Sequence, residues 1–251
     1  SMDFQVVVLA GGFSKTLHPL VSKEVPKALL PVADRHVLSF VLELLEQNDI
    51  KNAIVVVEGE SAALLISAWI SAAFLDRLNV EVIAVPEDVG TAGALREIDI
   101  RLTAKDILVV SGDLVTDVAP GAVAAAHRRH DAAVTAMLCS VPVSGQSDSG
   151  SSSGKDKGKK TGRFNIIGLD PTNHFLLHLV AGGEVEEDIR IQKSILRAVG
   201  QMEIRSDLMD AHMYAFKRSV LLDVLRQKEH FHSLRRDVLP YLVQTQLVSF
   251  F

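Results

Sequence analysis

Val6-Val7-Val8-Leu9-Ala10-Gly11-Gly12 is the stretch that decides the fold. An unbroken apolar run rich in β-branched residues reads as a strand buried on both faces. The glycine pair that ends it lets the backbone turn and approach a ligand closely, with amide groups as donors. Outward from there, Ala53 to Val57, Val80 to Val85 and Ile107 to Val110 are runs of the same kind. Val37 to Gln47, Ser61 to Leu78, Thr91 to Leu102 and Ala119 to His130 space their apolar residues as helices do, and Ala132 to Leu138 is strand-like. Alternation of this kind predicts an α/β fold: a Rossmann-like, mostly parallel mixed sheet flanked by helices. Ligands of such sheets lie beyond the carboxyl ends of the strands. Gly11-Gly12, Pro86 to Gly90 and Gly112-Asp113 are therefore expected together at that edge.

The later part of the chain is less regular. Ser144 to Gly162 is nearly all Ser, Gly, Lys and Asp, cannot offset its ordering entropy, and is expected to be a flexible loop. Phe164 to Leu169 and Phe175 to Val180 read as paired strands around Pro171-Thr172-Asn173, and His212 to Phe216 as another strand. Ser219 to Gln227 and Ser233 to Leu242 read as helices, with Ser233 as N-cap of the second. Residues 2–251 are read as one domain, with Ser1 set aside as an expression scar.

The bulk numbers narrow the function classes. With 251 residues the chain can bury a large core without disulfides, and its one cysteine, Cys139, reads as a small core residue at a strand end. A net charge of −5 argues against a dedicated nucleic-acid binder. No apolar run is long enough to cross a bilayer and no signal peptide precedes the first strand, so a cytosolic location with no membrane contact is expected. The histidines lack metal-ligand spacing, and no metal or cofactor is expected. Trp69, Phe74 and Leu75 lie at helical spacing, which fits a core-facing stripe or, less commonly, a partner patch.

The chemistry-bearing segment continues from the first strand: Leu9-Ala10-Gly11-Gly12-Phe13-Ser14-Lys15-Thr16-Leu17-His18-Pro19-Leu20, then Val25-Pro26-Lys27-Ala28-Leu29-Leu30-Pro31-Val32. Lys27, between prolines in an apolar segment, is placed to offer a positive charge to a phosphate; its plainer reading is a surface lysine. This order and spacing resembles the sugar-phosphate nucleotidyltransferases, the family of the GDP-mannose and ADP-glucose pyrophosphorylases. Gly90-Thr91-Ala92-Gly93-Ala94-Leu95 is similar to that family's base-recognition turn, and Ser111-Gly112-Asp113 to the segment whose aspartate helps hold magnesium. The resemblance implies a GDP-mannose pyrophosphorylase-like fold. It marks Ala10, Gly11, Gly12, Lys27, Gly90, Thr91, Ala92 and Asp113 as nucleotide-binding positions, retained or vestigial.

The departures from that pattern bear on activity. Ser14 stands at the family's third glycine and Thr16 at its catalytic arginine. Displaced pyrophosphate gathers negative charge, and losing one such electrostatic contact costs on the order of a hundredfold in rate. Lys15 does not reproduce an arginine fork. The family's sugar-phosphate element has no counterpart in Gly162 to Leu169, and Asp210 stands where an asparagine is usual. Asp113 has no evident second carboxylate, so a turn-capping role stands beside metal binding. No catalytic residue is assigned.

Other segments resemble a branch of the superfamily that keeps the fold without the catalysis. These are Met2 to Val8, Ser111 to Val118, Ile191 to Leu196, Asp210 to Tyr214 and Arg235 to Val243. The branch supplies subunits of the guanine nucleotide exchange factor for eukaryotic translation initiation factor 2. The resemblance implies pairing with a related epsilon subunit, which carries the exchange activity, and with the other subunits of the complex. It also implies a part in docking initiation factor 2, with any nucleotide held weakly. The hexapeptide-repeat β-helix usual in that branch is not found in these 251 residues. An active nucleotidyltransferase and a nucleotide sensor remain as alternatives.

Overall fold

A computed structural model describes residues 4–11, 31–32, 35–112, 119–140, 164–169, 176–183, 197, 201, 203–205 and 208–245. In chain order the strands are β1 (Phe4–Gly11), β2 (Pro31–Val32), β3 (Arg35–His36), β4 (Asn52–Glu58), β5 (Asn79–Val85) and β6 (Asp106–Ser111). They continue with β7 (Val134–Ser140), β8 (Phe164–Leu169), β9 (Leu176–Gly183), β10 (Glu203–Arg205) and β11 (Leu208–Lys217). The helices are α1 (Val37–Gln47), α2 (Glu60–Ala73), α3 (Gly90–Glu97), α4 (Pro120–Arg129), α5 (Arg218–Gln227) and α6 (Leu239–Thr245).

The chain divides into two compact units, Ser1–Met137 with Ala211–Leu234, and Leu138–Asp210 with Arg235–Phe251. The main sheet runs β5-β4-β1-β6-β11-β7. β5, β4, β1 and β6 are parallel, and β11 lies antiparallel to β6. This is the expected mostly parallel mixed sheet flanked by helices. The alternating side chains of β1 explain the unbroken run: Val6, Val8 and Ala10 join a core with Leu38, Leu42, Leu45, Ile66 and Ile70. Val7 points to the other face and is also fully buried. Each such side chain contributes about 1.5–3 kcal/mol by leaving water. In the second unit β10-β8-β9 form an antiparallel sheet, with α6 against β9. The pairing of β8 with β9 matches expectation; the turn between them, the 144–162 segment and 191–196 lie outside the described residues. Cys139 falls at the end of β7 as expected.

Three helices differ from the sequence reading. α2 stops at Ala73 rather than running to Leu78: Phe74 already leaves helical geometry, φ −122° and ψ 16°, and Asp76 beyond it takes a left-handed backbone, φ 62°. Thr91 to Leu102 divides into α3 and a short 3-10 turn, Asp99–Arg101. Ser233 to Leu242 divides into a π turn, Leu234–Val238, and α6. Pro240 has no N–H to give the carbonyl four residues back, so a regular ladder cannot pass through it.

A polar contact fixes the start of β6. His127, on α4 and 2% exposed, lies between Asp106 Oδ1 at 3.2 Å and Thr135 Oγ1 at 3.0 Å. The carboxylate can only accept, so a neutral imidazole donates through Nε2 and accepts the threonine proton at Nδ1. Burial, first among the causes, holds the His127 pKa below its ordinary 6.5, against the opposing pull of Asp106. As pH falls the unfolded chain therefore takes up this proton before the folded one does. The contribution is complete above about pH 6.5 and lost progressively below it. Melting temperature is expected to fall from pH 7 to pH 5.5, and His127→Gln should flatten that slope. An unchanged slope in the variant would show that other groups dominate.

Candidate functional site

The carboxyl ends of β1, β4, β5 and β6 and the start of α3 enclose a cleft of about 180 Å³. β1 lies between β4 and β6, so the chain leaves it in one direction through β4 and β5 and returns on its other side through β6. That reversal is the switch point at which open α/β sheets bind ligands. Two glycines shape the cleft. Gly112 leaves β6 so close to β1 that its N–H reaches Leu9 O at 2.9 Å, and a Cβ there would stand 2.8 Å from Ala10 Cα. Gly90 has φ +72°, and a Cβ would stand 2.6 Å from the His232 ring. Only glycine fits either position without movement of the backbone.

Of the positions marked in the sequence, Ala10, Gly11, Gly90 and Thr91 line the cleft, beside Ser111 and Gly112. Ala92 does not: it is fully buried, and its N–H donates to His232 O at 2.9 Å. Thr91 Oγ1 accepts from Leu234 N–H at 2.8 Å. So two polar groups of the base-recognition turn already serve the chain itself. Gly12, Lys27 and Asp113 lie outside the described residues, as does Thr16. Among the described lining residues the one charged side chain is Glu58, at the end of β4. No three of His, Cys, Asp and Glu converge among the described residues. These residues by themselves do not compose a magnesium site.

Sequence reasoning did not single out Glu58 or the strap behind α3. Glu58 was within reach of the strand-end rule, because it closes a buried run before Gly59. The strap had no local signal. Arg96, on α3, donates from Nε to Leu225 O at 2.8 Å. Its Nη2 donates to Lys228 O and Phe231 O, each at 3.2 Å. One guanidinium therefore holds the end of α5 and the following loop against α3, and so places His232 over Gly90.

Residues 5–165 match the family model described as nucleotidyl transferase. The chain belongs to the nucleotidyl transferase family. In this nucleotidyl transferase fold the first strand, its glycine turn and the cleft all fall inside the matched span. The chain is 29% identical to the translation initiation factor eIF2B subunit gamma of Schizosaccharomyces pombe, over 98% of its own length and 52% of that protein. It is 28% identical to the Dictyostelium discoideum protein of the same name, over 98% of its length and 58% of that protein. It is 27% identical to a Campylobacter jejuni D-glycero-alpha-D-manno-heptose 1-phosphate guanylyltransferase, over 45% of its length and 49% of that enzyme. The chain thus spans about half or a little more of these relatives.

Chemically, the described part of the cleft offers the start of α3, with its positive pole, and one carboxylate. It offers no fixed cation for a departing pyrophosphate among the described residues. Arg96→Ala would leave three carbonyls without this donor and is expected to cost about 2–4 kcal/mol in urea unfolding. Arg96→Lys should recover less than half of that, since an ammonium lacks the fork. A loss below half a kilocalorie in the alanine variant would show that the strap does not depend on this contact.

Proposed function

We propose that this chain is the nucleotidyltransferase-like domain of a non-catalytic subunit of the guanine nucleotide exchange factor for translation initiation factor 2. The observation that carries the reading is the reach of the similarity. It runs along 98% of the chain with the two eIF2B gamma subunits but along 45% with the guanylyltransferase. In this reading the domain serves complex assembly and the docking of initiation factor 2. Its partners are the epsilon subunit and the other subunits of the complex, with no direct contact to nucleic acid or membrane. It works in the cytosol. No helix among the described residues is long and apolar enough to cross a membrane.

The inert part of the proposal rests on charge. Thr16 stands at the family's arginine, and Glu58 adds a negative charge to the described cleft wall. A nucleotide held at Ala10, Gly11, Gly12, Lys27, Gly90, Thr91 and Asp113 would be bound weakly and not turned over; Ala92, buried beneath the cleft, would take no part in holding it. The bonds of Thr91 and Ala92 to Leu234 and His232 support this, because those groups are less available to a base. The alternative is an active sugar-phosphate nucleotidyltransferase, favoured by the partial similarity to the guanylyltransferase.

One experiment separates the two. Incubated with GTP, mannose 1-phosphate and magnesium, the chain is expected to release no pyrophosphate above background, and it should co-purify with an epsilon subunit expressed beside it. Steady pyrophosphate release would establish the enzyme; failure to co-purify would remove the assembly role.

A further inference from the structure

Glu58 closes β4 and is half-buried at the cleft, yet its carboxylate makes no hydrogen bond or ion pair with any described residue. The walls beside it are apolar: Leu9, Ala10, Val56, Val85 and Ala94. A carboxylate set against apolar walls is stabilised by a charged donor placed on it. At the start of α3 the polar groups are already engaged. Thr91 Oγ1 accepts from Leu234 N–H at 2.8 Å, and Ala92 N–H donates to His232 O at 2.9 Å. Glu58 is the charged group of this cleft whose bonding capacity is unmet.

We propose that the cleft takes an arginine side chain of a partner protein, with the guanidinium on Glu58 and the methylene stem along Val56 and Val85. The proposal rests on the reading of the chain as a non-catalytic subunit, and it names what the cleft of that subunit binds. About 180 Å³ is less than the roughly 300 Å³ at which small-molecule pockets begin, and it holds one side chain or ring rather than a whole nucleotide. A nucleobase edge is neutral and leaves the carboxylate uncompensated, and phosphates would add to its charge. A metal ion needs several ligands, and no three His, Cys, Asp and Glu side chains converge among the described residues. A guanidinium needs one carboxylate, which it neutralises through two parallel N–H donors. A lysine brings the charge without that fork. The arginine stem is itself apolar and packs along apolar walls.

The field at the mouth favours the same occupant. Glu87 stands at this rim: its Oε1 would lie 3.2 Å from a Cβ on Gly59, the residue after Glu58. Together with a net charge of −5 it attracts a basic segment and disfavours a free nucleotide. The positive pole of α3 opposes a cation, but it amounts to about half a charge against the full charge of Glu58.

Nuclear magnetic resonance titration of the isotope-labelled 251-residue chain with the blocked peptide acetyl-Gly-Arg-Gly-amide tests this. Saturable shifts of the Gly11, Gly90, Thr91 and Gly112 amide signals are expected, with a dissociation constant of about a millimolar or below. The same peptide with citrulline for arginine keeps the shape and loses the charge, and should bind about tenfold more weakly or worse. Glu58→Gln should weaken the arginine peptide by a similar factor. Its melting temperature should hold, because the carboxylate has no partner within the chain to lose. No saturable shift, or equal binding of the citrulline peptide, would overturn the proposal. Guanosine binding to these amides more tightly than the arginine peptide would overturn it in favour of a base. The titration needs no other subunit, so it is read separately from co-purification with an epsilon subunit. A chain that joins the epsilon subunit but takes no arginine peptide loses this inference alone. One that takes the peptide but joins no epsilon subunit keeps the binding chemistry and loses the subunit reading.

Discussion

The hydrogen bond from Gly112 N–H to Leu9 O, 2.9 Å long, draws the carboxyl end of β6 onto that of β1. The cleft depends on this approach. β1 carries parallel partners on both sides, so its end is the one place from which β4, β6 and the start of α3 can all be reached. A side chain at Gly112 would meet backbone rather than a flexible side chain, and backbone in a packed sheet yields little. The glycine after β6 is therefore an architectural requirement first. Its value to a ligand, where a family member binds one, follows from the same closeness.

Architecture and chemistry separate at this edge. The backbone features that a nucleotide would use are present: the turn at Gly11, the start of α3 and the close pass at Gly112. The charged side chain of the described wall is Glu58, a carboxylate. Backbone architecture and side-chain charge at such an edge rest on different forces. Hydrophobic burial along β1, β4 and β6 maintains the sheet whatever stands in the loops. Stabilising a departing pyrophosphate needs a fixed positive charge at one position.

The same separation applies to α2. Its inner face is fixed by the core, through Ile66 and Ile70. Its outer face, with Leu64 and Leu65, is largely left in water. Exposed apolar surface of this extent is a cost in water unless another surface covers it.

The sequence by itself determined the layer order and the location of the cleft. Short unbroken runs rich in β-branched residues, such as Val6 to Ala10, read as doubly buried strands, and their glycine-marked ends fall on one edge by the geometry of the crossovers. Sequence spacing also brought Trp69, Phe74 and Leu75 together, but the tertiary structure divided them. Phe74 is buried, Trp69 packs edge-on against it at 5.8 Å, and Leu75 is left in water. Only the fold could decide the strap, because Arg96 and the carbonyls of Leu225, Lys228 and Phe231 lie more than a hundred residues apart and carry no shared local pattern. Helix periodicity records that a residue is apolar, not which surface will cover it. Contacts between distant segments depend on where the sheet sets them.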